Sequence, residues 1–306
     1  MKKGFSLIEI LILSFIALSI LILLIGVVSN SREFGRTMGC INNMKNIAQA
    51  IENYQADWND TPITLSSLMP MYIQNPNIFH CPSDREKGDC YSKFYIGRYF
   101  ASDDAKKVFL ICPRHFGGKR TVAAYLSYSV DIGKNAKVLW SGIKAEFGKI
   151  YNDGKFNFED GTEVNITGKV GLLGSFTNQD GKIYSIIYSP EGENTNYNIE
   201  HKGDSQFEVI TPAVIAGVEG TKFNVYNLWG KNSENIQVAK TTISVEEGIV
   251  SVRERNQGRG EKVKSGEEVV VETITYEREE KNKVPRKPPK QKPNIIKKKK
   301  NISSEN

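Results

Sequence analysis

One apolar stretch near the start of the chain limits what the chain can fold into. Residues 10–31 contain no charged side chain, and within Ile10–Val28 the polar side chains are Ser14 and Ser19. As a helix, this stretch extends about 33 Å at about 1.5 Å per residue, enough to cross a bilayer. Two lysines precede it, and lysine favours the cytoplasmic side. We therefore predict a single-pass membrane protein with a cytoplasmic N-terminus and a periplasmic or extracellular bulk.

Two simpler interpretations of this stretch fit less well. The apolar core of a secretory signal peptide is usually about 7–15 residues and ends at a small-residue cleavage site. Here the run is longer, and residues 27–31 match such a site poorly. A plain membrane anchor does not explain Glu9, because a carboxylate at the edge of the apolar run is costly unless it finds a partner.

Residues 4–9, Gly-Phe-Ser-Leu-Ile-Glu, resemble the processing site of type IV prepilins and type II secretion pseudopilins. The resemblance implies that prepilin peptidase cleaves after Gly4 and methylates the new N-terminal residue, Phe5. It also implies that Glu9 pairs with the N-terminal amine of a neighbouring pilin or pseudopilin subunit, as a buried carboxylate requires. The expected location is the inner membrane, after removal of a leader at residues 1–4.

The helix is predicted to continue beyond the membrane, over residues 5–58, with the transmembrane part at about 10–31. Apolar residues recur there at steps of three and four, which is typical of one buried helix face. These residues are Met44, Ile47, Ile51, Tyr54 and Trp58. Gly35 and Gly39 weaken the helix, and the Asp-Thr-Pro sequence at 60–62 is expected to end it.

Three later segments resemble a subgroup of pseudopilin-like proteins. They are residues 40–45 (Cys-Ile-Asn-Asn-Met-Lys), 79–84 (Phe-His-Cys-Pro-Ser-Asp) and 112–118 (Cys-Pro-Arg-His-Phe-Gly-Gly). The Asp-Gly pair that this subgroup often carries further on is missing, since residues 125–128 are Tyr-Leu-Ser-Tyr. We predict a small pilin-like α+β head over 59–136, with strands near 107–111 and 122–130.

All four cysteines fall in or beside this head: Cys40, Cys81, Cys90 and Cys112. Outside the cytoplasm disulfides are permitted, and four cysteines allow three pairings. A small head buries little core, so a disulfide would help to hold it together. Cys81 with Cys112 is the favoured pair, and Cys40 or Cys90 could compete for either partner.

No metal site, cofactor or catalytic group is predicted. The sequence lacks a Cys-x-x-Cys pair, although His80-Cys81 and Cys112-x-x-His115 would be the candidate ligands. No nucleophile–base pair, phosphate-binding loop or paired carboxylate stands out, so we do not expect an enzyme.

From about Lys137 the sequence changes to short β-type runs separated by Asp-Gly, Glu-Gly and Ser-Gly turns. Asp-Gly between alternating strands is a strong hairpin signal. Many short strands at this spacing indicate an all-β sandwich or roll, here over 137–277. The predicted strands are 138–143, 148–151, 155–158, 163–166, 182–188, 206–211, 222–226, 236–245, 249–253 and 268–276.

Residues 207–223 of this β region resemble the centre of the FecR domain, with its Thr-Pro-x-x-x-Ala-Gly-Val-x-Gly-Thr-x-Phe run. Glu219 stands where that family has arginine. The resemblance implies a non-catalytic, periplasmic signal-relay module. We expect no cytoplasmic sigma factor as partner, because little beyond Met1 to about Glu9 would face the cytoplasm.

The last segment, residues 278–306, is rich in lysine and proline. From Lys281 onward it carries ten Lys or Arg and one acidic residue. Such a segment cannot bury enough apolar surface to fold, so we predict a disordered tail. It is either a binder of anionic surfaces or a solubilising end.

The predicted fold class is therefore α+β: a long transmembrane helix, a small head, an all-β domain and a tail. Two functions remain open. The chain is either a prepilin-like subunit of a type IV pilus or a type II secretion pseudopilus, or a membrane-anchored sensing or ligand-binding protein that does not polymerise. Glu9 favours the first, since an anchor has no need of it.

Overall fold

The computed structural model describes residues 7–58, 61–62, 64–84, 88, 90–97, 107–218, 220–231, 237–254, 260–274 and 298–301. Helix α1 comes first, followed by three short 3₁₀-helices and then by strands. The helices are α1 (Leu7–Trp58) and the 3₁₀-helices Leu65–Leu68, Pro76–Phe79 and Ser92–Phe94. The first strands are β1 (Val108–His115), β2 (Arg120–Tyr125) and β3 (Val130–Lys134).

The remaining strands form a larger sheet. They are β4 (Val138–Trp140), β5 (Ile143–Lys144), β6 (Ile150–Phe158), β7 (Glu163–Thr177), β8 (Ile183–Tyr188), β9 (Thr195–Glu200), β10 (Gln206–Ile210), β11 (Val214–Val218), β12 (Lys222–Lys231), β13 (Gln237–Glu247), β14 (Ile249–Glu254), β15 (Gly260–Lys264), β16 (Glu267–Ile274) and β17 (Lys298–Asn301).

Helix α1 runs unbroken for 52 residues and changes environment along its length. Its apolar first half is exposed, whereas its second half buries one face under the head. The buried positions recur at intervals of three and four, as an amphipathic helix requires. They include Thr37, Cys40, Met44, Ile47 and Ile51. The predicted apolar face is confirmed at Met44, Ile47 and Ile51.

The head consists of the three 3₁₀-helices and an antiparallel sheet in the order β1-β2-β3. Strand β1 is almost wholly buried, because α1 and the head loops cover it on one side and the larger sheet on the other. Both predicted head strands are present, but β1 reaches His115 and the second predicted strand is divided into β2 and β3.

In the larger sheet the strands follow the order β15-β14-β11-β10-β8-β7-β9-β12-β13-β16-β17, with β6 also paired to β7 and β4 to β6. The long strand β7 organises this arrangement. Its first part pairs with β9 and its last part with β8, while β6 lies along its other edge. The sheet can therefore wrap around its own core of valine, isoleucine and phenylalanine side chains.

The core of the head continues into the larger sheet. Leu173 and Phe176 of β7, Tyr184 and Ile186 of β8, and Ile210 belong to the same buried cluster as the α1 and β1 residues. The predicted division near residues 136 and 137 stays a prediction about domains. What the structure adds is that the two parts share buried side chains.

Two differences from the sequence prediction have physical reasons. Strand β9 was not predicted, because its Thr-Asn-Tyr-Asn-Ile-Glu sequence contains two asparagines, which are rare in strands. The prediction of a disordered tail is wrong for Lys298–Asn301, which form β17 against β16. An edge strand offers unpaired backbone groups, and here Glu268 lies opposite Lys300. The other tail residues lie outside the described residues.

Candidate functional site

The first half of α1 is the membrane-facing candidate. Within the described residues, one helix is long and apolar enough to cross a membrane, with an 18-residue window of mean hydropathy 3.1 in which no residue is buried. Gly4 and Phe5 lie outside the described residues. Glu9 is exposed in the first turn of α1.

The two serines of this apolar stretch satisfy their hydroxyl groups within their own helix. Ser14 Oγ donates to the carbonyl oxygen of Leu11 and Ser19 Oγ to that of Phe15, each at 2.8 Å. Because unsatisfied polar groups are costly in hydrocarbon, these internal bonds suit a lipid environment. Neither serine therefore requires a partner from another chain.

A second candidate site lies where the head meets α1. Cys40, Cys81, Cys112 and His115 are fully buried, and one potential ligand atom from each lies within 4.8 Å of the other three. Cys81 Sγ and His115 Nε2 are 3.6 Å apart. We call these four residues the Cys–His cluster. They come from α1, from the loop after the second 3₁₀-helix, and from β1.

Helix periodicity explains the contribution of α1. Glu33, Thr37 and Cys40 are spaced by four and three residues, so they share the face that meets the head. Gly39 lies beside them, and a Cβ atom there would be 3.2 Å from Pro82 Cγ. The missing side chain lets the Cys81-Pro82 loop lie close against α1, and this places Cys81 near Cys40.

A β-bulge explains the contribution of β1. Side chains three residues apart in a regular strand point to opposite faces. The pairing shifts by one residue between Cys112, which faces Val122, and His115, which faces Arg120. The extra residue re-aims the chain, so Cys112 and His115 can both point towards α1.

The other ring nitrogen of His115 has three oxygen neighbours. Nδ1 is 3.1 Å from Thr37 Oγ1, 3.1 Å from Ser83 Oγ and 3.4 Å from Glu33 Oε1. The Thr37 hydroxyl donates to the Glu33 carbonyl oxygen and the Ser83 hydroxyl to Glu33 Oε1, so both are left as acceptors towards Nδ1. This arrangement favours a proton on Nδ1 and a lone pair on Nε2, which faces Cys81 Sγ.

The site favours negative charge at two positions. Burial raises the pKa of Glu33, but hydrogen bonds from Ser83 and from the Phe116 N–H, together with His115, outweigh it and lower the pKa overall. Hydrogen bonds from Cys112, Cys40 and Cys90 hold the pKa of the Cys81 thiol far below its usual range.

Outside the cluster, an ion pair joins the same two head segments. Arg114 Nη1 lies 2.7 Å from Asp84 Oδ1, and the Asp84 side chain is almost completely buried. The Cys-Pro-Ser-Asp and Cys-Pro-Arg-His segments thus meet where Cys81 approaches Cys112 and His115, where Ser83 approaches His115, and at the Asp84–Arg114 ion pair.

The predicted disulfides do not appear as bonds. Cys40, Cys81, Cys90 and Cys112 lie together, as pairing would require, but all four are buried and unbridged. Pairing therefore stays a prediction. The sulfur of Cys90 is outside the four-atom cluster and accepts a hydrogen bond from the Cys81 N–H at 2.9 Å.

Of the candidate metal ligands in the sequence, His115 joins the cluster and His80 does not. His80 Nδ1 is instead 2.8 Å from the Gly88 carbonyl oxygen. Sequence reasoning found no four-residue site because the ligands are separated by up to 75 positions and no two form a Cys-x-x-Cys pair. One signal was available: each of the three segments that resemble pseudopilin-like proteins contributes to the cluster.

The third histidine, His201, lies in the β region and has a structural role there. His201 Nδ1 lies 2.6 Å from Thr162 Oγ1, and Nε2 lies 2.8 Å from the Ser205 carbonyl oxygen. Both ring nitrogens are thus engaged in holding neighbouring turns, and the residue is buried.

Comparison with known proteins adds a match over part of the chain. A family model described as "Protein of unknown function (DUF1559)" matches residues 29–68, which span Glu33, Thr37 and Cys40. No curated protein matches. The match and the apolar N-terminal helix fit a membrane-anchored, pilin-like protein.

Two solved structures, both described as a putative anti-sigma factor from Parabacteroides distasonis ATCC 8503, show a weak likeness. One is 17% identical with a TM-score of 0.30, and the alignment covers 52% of this chain and 59% of that chain. The other is 16% identical with a TM-score of 0.28, covering 54% and 61%. The chain thus spans about three fifths of the length of these proteins.

Proposed function

We propose that this protein is a prepilin-like subunit that is anchored in the inner membrane by α1 and joins a type IV pilus or a type II secretion pseudopilus. Prepilin peptidase cleaves it after Gly4 and methylates Phe5. The observation that carries the proposal is the division of α1: one unbroken helix with an exposed apolar first half and a second half covered by a small head. That division suits a helix that lies in lipid as a monomer and among other helices in a filament.

Glu9 gives the proposal its mechanism of assembly. In a monomer the carboxylate near the end of the helix can stay close to the membrane surface. When helices bundle, the same carboxylate becomes buried, and a buried charge is tolerable only opposite a partner such as the amine of a neighbouring Phe5. Assembly therefore depends on Glu9, whereas insertion does not.

The β region is proposed to be a FecR-like module that the subunit displays outside the cytoplasm. It has no assigned chemistry, and its placement after the membrane helix argues against a cytoplasmic sigma factor as partner. The lysines of the tail are proposed to contact anionic surfaces, unless β17 holds them against β16.

The test of assembly replaces Glu9 with alanine. Removing one member of a buried charge pair costs about 3–5 kcal/mol, so Glu9→Ala should still be cleaved, inserted and folded but should fail to co-assemble. Crosslinking between subunits, or the yield of sheared filaments, measures assembly, and a blot of the membrane fraction measures insertion.

Ser14→Ala is the matched control. It removes a polar group from the same apolar stretch, but the Ser14 hydroxyl is satisfied within its own helix, so assembly should be unchanged. If Glu9→Ala assembles as well as wild type, the protein is better described as an anchored sensing or ligand-binding protein that carries a pilin-like leader.

A further inference from the structure

The Cys–His cluster has the composition of a structural metal centre. Three cysteines and one histidine are a common ligand set for zinc, which binds four ligands tetrahedrally when its role is structural. Zn–S bonds of about 2.3 Å and Zn–N bonds of about 2.0–2.1 Å imply ligand atoms about 3.6–3.8 Å apart. The Cys81 Sγ–His115 Nε2 distance of 3.6 Å fits that edge, and all ligand atoms lie within 4.8 Å of one another.

We propose that Cys40, Cys81, Cys112 and His115 bind one structural Zn²⁺ ion that fastens the head to the extracytoplasmic half of α1. Nothing in the proposed assembly function requires this ion. The three thiolates and one neutral imidazole use all four positions of a tetrahedral zinc site. Since the four residues are fully buried, no position is open to substrate, and the ion has a structural role.

The surroundings of His115 support metal binding rather than simple packing. Metal-bound histidines usually donate their second ring N–H to a carboxylate, hydroxyl or carbonyl oxygen, which orients the ring. His115 Nδ1 faces the oxygens of Glu33, Thr37 and Ser83, and Nε2 faces Cys81 Sγ. Glu33 is itself held by Ser83 and by the Phe116 N–H.

Hydrogen-bond donors also point at the sulfur atoms. The hydroxyl of the buried Tyr91 donates to Cys40 Sγ at 3.0 Å, and the Ser83 N–H lies 3.4 Å from Cys81 Sγ. A site of three thiolates and one zinc carries a net charge of about −1, and such donors offset it in a buried location.

Disulfide bonding is the competing explanation, and it fits the geometry less well. Disulfides join cysteines in pairs, and the four neighbouring cysteines could form two disulfides only by including Cys90. No such pairing uses the oriented His115. A zinc ion uses all four residues together. It also ties α1 to β1 and to the loop between them.

The test measures metal in the full-length protein, purified in detergent from membranes without chelators. Elemental mass spectrometry should find about one zinc per chain after dialysis. A mercurial reagent that blocks thiols should release that zinc, and cobalt exchanged into the site should give a sulfur-to-cobalt charge-transfer band. Wild-type protein without zinc would overturn the proposal, whether its cysteines were free or in disulfides.

Variants then assign the ligands. Cys112→Ser and His115→Ala should each lose zinc, whereas Cys90→Ser, which alters a buried cysteine beside the cluster, should keep about one zinc per chain. If the two ligand variants do not fold, the wild-type metal content and cobalt spectrum still decide the matter. Retention of zinc by folded Cys112→Ser and His115→Ala would contradict the ligand set.

Glu33 is a positioning residue in this proposal. Loss of such an outer partner typically lowers metal affinity about 10–100-fold. Glu33→Gln should therefore release zinc to a competing chelator at a correspondingly lower chelator concentration. Glu52→Gln, an exposed glutamate on the same helix, is the control and should leave the affinity unchanged. Equal affinity in Glu33→Gln and wild type would refute the role of Glu33.

Discussion

The loss of stability on replacing a charged residue of this protein depends on how deeply its ion-pair partner is buried. Two lysines show the contrast. Lys107 is paired with Glu208, whose side chain is 2% exposed, at the junction of the head with the larger sheet. Lys169 is paired with Glu193 on the surface, where the two side chains are 48% and 37% exposed.

We expect Lys107→Met to destabilise the protein by about 3 kcal/mol, because it leaves the buried Glu208 carboxylate without its lysine. Lys169→Met should change stability by no more than about 1 kcal/mol, since solvent screens an exposed pair. The midpoint of thermal unfolding measures both. Equal shifts in the two variants would show that Glu208 is not buried as described.

The residues of the Cys–His cluster show how much of a site can be predicted from the sequence at this scale. Their segments stood out, because each resembles part of one family. Their meeting point could not be predicted, because it depends on a bulge between Cys112 and His115 and on the close approach of Pro82 to Gly39. Neither feature leaves a periodic pattern in the sequence.

At the scale of the element, α1 was predicted well because its signals are long and periodic. The apolar stretch predicted the first half of the helix, and apolar residues at steps of three and four indicated the buried face of its second half. The short strands were predicted less completely. Strand β9 contains asparagine, and β17 forms in a lysine-rich segment, so both depend on neighbouring strands rather than on local preference.

Two glycines of α1 allow a test of its packing against the head. A Cβ atom at Gly35 would meet nothing within 4 Å, whereas one at Gly39 would be 3.2 Å from Pro82 Cγ. Gly35→Ala should stabilise the protein by about 0.5–1 kcal/mol, because alanine favours helix over glycine.

Gly39→Ala should lose that gain and destabilise the protein, since overpacking typically costs about 1–3 kcal/mol. Chemical denaturation of both variants beside wild type measures the difference. Identical stabilisation by the two substitutions would mean that the Cys81-Pro82 loop does not rest against α1.

At the scale of the whole molecule, the head and the larger sheet share a core through residues such as Phe176 and Tyr184. The sequence predicted an all-β region after a small head, and a mostly β region follows α1 in the structure. It did not predict the shared core, because the residues that form it look like ordinary strand residues of either part. The head therefore covers the second half of α1, and the apolar first half of α1 extends from it.

The mass of the mature chain tests the central claim, which is that α1 is the N-terminal helix of a pilin-like subunit. Intact-protein mass spectrometry of the protein isolated from its native membrane should find a chain that begins at Phe5 and carries one added methyl group. Gly4→Leu should leave the full-length precursor, because the peptidase requires a small residue at the cleavage position. An intact N-terminus at Met1 in the wild-type protein, or normal maturation of Gly4→Leu, would contradict the account.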